Sequence, residues 1–263
     1  MIPAPFEYVR ARSVDEALEA LSDPEAKTLA GGQSLLPLMK LRLARPSVVV
    51  DIGELDLAGV EERADEIHLG ALTTWDQLTR ADTLRRPELA ALGDCARGIG
   101  DLQVRNRGTL GGGLAHADPA ADMPAVALAL GARVCLRSPA GEREVAASDF
   151  FTGPFMTVLG RQELLMEMIV PTPPHGSGSA YVTVEHPASG FALAGAAALA
   201  LADGRESVAL TGVAGHPFLL DGPLEEAESM ADTYVSAAYR RALAEVVARR
   251  ALDRARKRAK EQR

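Results

Sequence analysis

Two glycine clusters punctuate the chain: Ala30-Gly31-Gly32-Gln33-Ser34 and Thr109-Leu110-Gly111-Gly112-Gly113. Glycine admits positive φ and lets backbone pack directly against a neighbour or a ligand. Consecutive N–H groups in such a loop can converge on one anion. A helix starting there adds the positive end of its dipole. Each cluster lies beside a predicted helix start, and the second runs on into Asp118-Pro119-Ala120-Ala121-Asp122. Taken singly, each reads first as a tight turn. Taken together they suit a diphosphate, the central group of a dinucleotide cofactor.

Familiar nucleotide motifs are absent from the sequence. There is no G-x-x-x-x-G-K-[ST], which excludes a P-loop, and no G-x-G-x-x-G following a predicted strand. The five histidines (His68, His116, His175, His186, His216) lack metal-ligand spacing, and no nucleophile elbow is present. Hydrolytic chemistry therefore has little support. Two cysteines, Cys95 and Cys135, cannot supply the four thiolates of an iron–sulfur cluster, and they read as small buried apolar residues. Asp122 has two readings: it complements a helix dipole, or it accepts hydrogen bonds from ligand hydroxyls beside the diphosphate.

The 263 residues fit one large domain or two modest ones. No apolar run approaches the roughly 20 residues that span a bilayer. The longest, Phe191 to Leu201, is alanine-rich and suits a buried strand. Met1-Ile2-Pro3-Ala4-Pro5 lacks the features of an export signal, so a cytoplasmic chain is expected. Net charge is −8, yet from Tyr239 onward ten Lys or Arg stand against three acids. The acidic remainder disfavours nucleic acid as the main partner. The basic tail reads as a solvated helix with ion pairs, or else as a helix that binds a partner or RNA.

Capping patterns and β-branched runs place the elements. Ser13-Val14-Asp15-Glu16 and Thr74-Trp75-Asp76-Gln77 are capping boxes, with Trp75 packed beneath the second. Ser34 is expected to cap a helix from Leu35 to Leu43. Asp118, with Pro119 at the first helical position, is expected to cap a helix that runs through Ala129 to Gly131. Val48–Val50, Ile67–Ala71 and Val134–Leu136 read as strands, followed later by Ala180–Glu185, Phe191–Leu201 and Val208–Val213. Ser236 to Lys260 reads as one long helix. Pro171-Thr172-Pro173-Pro174 leads into a Gly/Ser run that has the character of a linker. The mixture is α+β.

Ala30 to Lys40 (AGGQSLLPLMK) and Gln103 to Asp122 (QVRNRGTLGGGLAHADPAAD) resemble the FAD-binding medium subunits of molybdenum hydroxylases, of the carbon monoxide and xanthine dehydrogenase kind. The resemblance extends to Met1-Ile2-Pro3, to Glu163-Leu164-Leu165 and to the basic helix beginning Tyr239-Arg240. It implies a vanillyl-alcohol-oxidase (PCMH-type) FAD-binding fold. Residues 1–171 would form the FAD-binding domain, with subdomains of about 1–56 and 57–171. Residues 172–179 would be a linker, and 180–263 a smaller C-terminal α+β domain. By the same resemblance, Ala30, Gly31, Gly32, Gln33 and Ser34, with Thr109, Leu110, Gly111, Gly112 and Gly113, would bind the FAD diphosphate. Asp122 would meet ribityl hydroxyls, while Leu165 and Phe191 would lie by the flavin.

Three features depart from the family pattern. Gly113 stands where Asn is common, Phe191 stands where a Tyr is found, and the segment Gly215 to Ala238 is shortened. The resemblance implies an oxidoreductase subunit that transfers electrons. They would arrive from the clusters of an iron–sulfur small subunit, fed by a large subunit holding the molybdenum cofactor, and leave FAD for quinone, NAD or oxygen. A dimer of heterotrimers is the implied assembly. A stand-alone flavin reductase or oxidase of the same fold, and a flavin-free interaction subunit, are the alternatives.

Overall fold

The computed structural model describes residues 2–224 and 228–262. Met1, Arg263 and residues 225–227, which fall in the segment expected to be shortened, lie outside the described residues.

Three parallel strands begin the chain. β1 (Glu7–Arg10), β2 (Lys27–Leu29) and β3 (Val48–Asp51) form a sheet in the order β1-β3-β2. Two helices make the crossovers, α1 (Val14–Ala20) and α2 (Leu35–Lys40). The β-branched run 48–50 takes the central position because both its edges are paired there. Ala17 and Leu18 of α1 pack on Val50 and Ile52 in a small core. Ser13 Oγ accepts the Glu16 N–H at 3.1 Å, while the Glu16 carboxylate turns to Arg12 N–H at 2.8 Å.

A five-stranded antiparallel sheet follows. Its strands are β4 (Val60–Arg63), β5 (Glu66–Gly70), β6 (Arg133–Ser138), β7 (Gly141–Ala146) and β10 (Leu164–Pro171), ordered β4-β5-β10-β6-β7. Between β5 and β6 the chain builds a helical layer: α3 (Trp75–Arg80), α4 (Ala90–Gly98), α5 (Leu102–Arg105), α6 (Leu110–His116) and α7 (Met123–Ala129). The short α8 (Ala147–Phe150) and the ribbon of β8 (Phe151–Gly153) with β9 (Met156–Thr157) close it. Both halves of the Thr74–Gln77 capping box form, and Trp75 is buried beneath them. The main core joins the inner face of this sheet to α3, α4, α6 and α7.

The last sheet is antiparallel: β11 (Gly178–Glu185), β12 (Ala192–Ala200), β13 (Glu206–Thr211) and β14 (Phe218–Leu219). Side chains alternate across β12, so Ala197 and Leu199 enter the main core while Ala194, Ala196, Ala198 and Ala200 face α9 (Ala237–Lys260). Alanine on both surfaces permits a close approach. A Cβ at Gly178 would stand 2.3 Å from the Ala255 carbonyl oxygen.

Three local expectations are corrected. Ser34 does not cap α2 through its side chain, since its own backbone is already helical, and the helix ends at Lys40. Asp118 caps a turn rather than a helix: its Oδ1 accepts the Ala120 N–H at 2.9 Å, and α7 begins only at Met123. The basic tail is solvated on one face alone. Ala244, Val247, Ala251, Ala255 and Ala259 recur at helical spacing and are buried. The two cysteines are free; Cys95 is buried as expected, while Cys135 is only half-buried.

Candidate cofactor site

The first glycine loop connects β2 to α2. Gly32 has φ +75°, the left-handed region open to glycine, and a Cβ there would meet Leu36 Cδ1 at 2.9 Å. Gly31 has a different reason to lack a side chain. Its Cβ would fall 1.9 Å from the carbonyl oxygen of Arg107. The strand-to-helix loop is therefore wedged against the segment that leads into the second cluster. Among the described residues, the N–H groups of Gly31, Gly32, Gln33 and Ser34 reach no protein acceptor. Four successive donors are left for water or a ligand.

The second cluster behaves differently. Thr109 caps α6, its Oγ1 accepting the Gly112 N–H at 3.2 Å. The Leu110 N–H donates to Thr73 O at 2.9 Å, Gly111 to Ala71 O at 2.8 Å and Gly113 to Thr109 O at 3.0 Å. The N–H groups of residues 110–113 are thus already satisfied within the chain. Its glycines serve close packing instead. A Cβ at Gly111 would stand 2.6 Å from Ala71 Cβ, and one at Gly113 2.7 Å from Trp75 Cζ2. Gly112 faces the first loop, 3.9 Å from Ala30 Cβ by the same construction. Residues 30–34 and 109–113 are therefore brought together. Trp75 occupies the room that a side chain at residue 113 would need.

Beyond α6 the backbone reverses through Ala117 (φ 49°) into the turn 118–122. The C-terminal sheet clamps this turn. Thr211 Oγ1 reaches the carbonyls of Pro119 at 3.1 Å and Ala121 at 2.6 Å, and the Gly212 N–H donates to Pro119 O at 2.9 Å. The Tyr181 hydroxyl donates to Asp122 Oδ1. Burial pushes the Asp122 carboxyl up to about 6, against the Tyr181 hydrogen bond, which favours the ionised form. Burial, then the Asp122 charge, raises the Tyr181 hydroxyl well above its ordinary value.

Next to the turn lies a cleft of about 500 Å³, lined in part by Asp118, Pro119, Phe155, His186, Phe191 and Tyr234. Phe191 is half exposed at its rim. His116 packs against Phe155 in a tilted arrangement, with ring centres 5.2 Å apart and planes at 54°. Leu165 is buried in the main core beside a β-bulge in β10. Tyr181, Gly195 and Thr211 were not singled out from the sequence. A glycine inside the alanine run of β12 was the available signal, since strand glycines mark close approach. A Cβ at Gly195 would fall 2.1 Å from the Tyr181 hydroxyl oxygen.

Residues 4–173 match the family described as the FAD binding domain in molybdopterin dehydrogenase. This chain belongs to that family. It is 36% identical to the carbon monoxide dehydrogenase medium chain of Afipia carboxidovorans, over 99% of this chain and 100% of that one. The solved carbon monoxide dehydrogenase from Hydrogenophaga pseudoflava superposes with a TM-score of 0.93 at 35% identity, covering 98% of this chain and 99% of that chain. Quinoline 2-oxidoreductase from Pseudomonas putida 86 superposes at 0.91 and 30% identity, over 98% and 99%. The fold is the PCMH-type FAD-binding fold, and the chain is an FAD-binding oxidoreductase subunit. The residues present fit that cofactor: a glycine loop packed backbone to backbone against the approach to the second cluster, with four successive backbone donors unsatisfied among the described residues. Among those residues no helix is long and apolar enough to cross a membrane.

Proposed function

We propose that this chain is the electron-transfer subunit of a molybdenum hydroxylase assembly. It would take electrons from the clusters of an iron–sulfur subunit, fed by a molybdenum subunit, and deliver them to quinone, NAD or oxygen. The carrying observation is the wedge of Gly31 against Arg107, beside four N–H groups with no acceptor among the described residues. The two cysteines cannot ligate a cluster, and Cys95 is fully buried with its thiol pushed up by burial, so any cluster that feeds the flavin must lie in another polypeptide. Cytoplasmic residence and a dimer of heterotrimers belong to the same reading.

Bound FAD supplies the exchange between one-electron and two-electron carriers. The protein binds and orients it. The N–H groups of residues 31–34 donate to the diphosphate, and the second cluster forms the opposing wall. Asp122 accepts from ribityl hydroxyls. Phe191 offers an aromatic face, without the hydroxyl of the family's Tyr, at the cleft that receives the ring system. No side-chain acid or base is required of this chain.

Co-expression of the chain with its genomic neighbours tests the reading. Co-purification of an iron–sulfur protein and a molybdenum protein is expected, with near-stoichiometric FAD. A Gly32→Val chain should purify without FAD. Full FAD content in that variant, or a chain that purifies alone and oxidises NAD(P)H, would sink the proposal.

A further inference from the structure

We propose that Tyr181 is a positioning residue for the flavin, holding the Asp122 carboxylate so that one oxygen faces the ribityl chain. The C-terminal sheet thereby sets FAD affinity without touching the diphosphate loops. This inference rests on the reading of Asp122 given above.

The geometry carries it. Tyr181 is buried in β11, and its hydroxyl donates to Asp122 Oδ1. Among the described residues no donor reaches Oδ2, while Asp122 as a whole is only half-buried. One oxygen is thus fixed from inside and the other remains available from outside. The hydroxyl has space because residue 195 is glycine. Thr211 and Gly212 fix the backbone of the same turn, so the Asp122 side chain is held at both its root and its tip. Such a buried bond to a charged acceptor fixes a rotamer more firmly than an exposed one.

Charge around the carboxylate makes this positioning measurable. Burial disfavours its ionised form most, and Glu185 on β11 and Asp118 on the turn add to that. Cys95 on α4 faces it as a neutral thiol. Tyr181 is the group that favours ionisation. Removing its hydroxyl should raise the carboxyl further. The ionised carboxylate accepts from FAD hydroxyls more strongly than the neutral acid does, so affinity should then fall off at a higher pH.

The test is FAD binding by the full chain, in the assembly in which it purifies, followed by flavin fluorescence from pH 5 to 9. Tyr181→Phe is expected to weaken FAD by about tenfold at pH 7, the worth of one hydrogen bond to a charged group. It should also move the midpoint of acid-induced FAD release upward. Asp122→Asn should weaken binding and flatten the pH dependence. Weaker binding by Tyr181→Phe with an unmoved midpoint would mean simple packing and overturn the proposal. Unchanged affinity in Tyr181→Phe, with loss in Asp122→Asn, would also overturn it and leave Asp122 in place. Unchanged affinity in Asp122→Asn removes both, whereas a Gly32→Val chain that still loses FAD would keep the loop assignment alive.

Discussion

The carbonyl oxygen of Arg107 occupies the place where a side chain at Gly31 would begin, 1.9 Å from the ideal Cβ position. Two segments more than seventy residues apart in sequence are thereby locked backbone to backbone. Trp75 extends the lock, because its N–H donates to Gly108 O at 3.1 Å and its indole lies against Gly108 and Gly113. The cradle is a consequence of this interlock and not of either loop alone.

Gly31→Ala should therefore separate the loops even though its backbone angle is tolerant. The conflict is with backbone, which cannot rotate away, so a loss of about 1–3 kcal/mol in stability is expected. FAD added at a hundredfold excess over its dissociation constant stabilises a competent chain by about 2.7 kcal/mol. Thermal melts with and without FAD check both effects. A Gly31→Ala chain with the wild-type melting temperature and the wild-type response to FAD would contradict the interlock.

Asp122 links the site to pH. Its carboxyl is raised to about 6 in the folded chain, against about 3.9 when unfolded. The folded state holds that proton more tightly. The contribution to stability is present below about pH 4 and is lost as pH rises through about 6. Asp122→Asn, which retains an acceptor for Tyr181, should raise apoprotein stability at pH 8 by on the order of 2 kcal/mol, and by much less at pH 4. Chemical denaturation at the two pH values measures it. An equal change at both would show that the charge is not the cause.

Arg258 ties the end of α9 to α4. Its Nη1 meets Asp94 Oδ2 at 2.6 Å and Ser179 O at 2.7 Å, and its Nη2 meets Asp94 Oδ1 at 3.1 Å. The Asp94 side chain is only 10% exposed. Arg258→Ala should cost about 2 kcal/mol, because a shielded carboxylate loses a two-pronged partner. Arg258→Lys should recover little of it, since an ammonium cannot span three acceptors in that geometry. Urea midpoints of the three proteins decide the matter; full recovery by lysine would count against the fork.

Gly113→Asn should lower stability. A Cβ would stand 2.7 Å from Trp75 Cζ2, and overpacking of this kind costs about 1–3 kcal/mol. Trp75→Leu should soften the penalty, giving a non-additive double mutant of the kind expected for contacting residues. Additive losses in the melting series would mean that the two side chains do not compete.

Local chemistry was legible in the sequence. The Thr74–Gln77 capping box, the β-branched strand at 48–50, the alanine strand 192–200 and the long helix starting after Ser236 all formed where residue type alone placed them. Each depends on interactions within a few residues, or on a pattern that demands burial. The helix starts at Ser34 and Asp118 did not follow their side chains, because the backbone there was set by what it packs against. Which glycines cradle and which merely let neighbours close in was likewise invisible: Gly32 and Gly113 look alike as letters, yet one has a left-handed φ and the other lies under Trp75. Tyr181, fifty-nine positions from Asp122, shares no periodicity with it. Only tertiary packing, which matches a missing Cβ on one element to a carbonyl, indole or hydroxyl on another, decided those pairings.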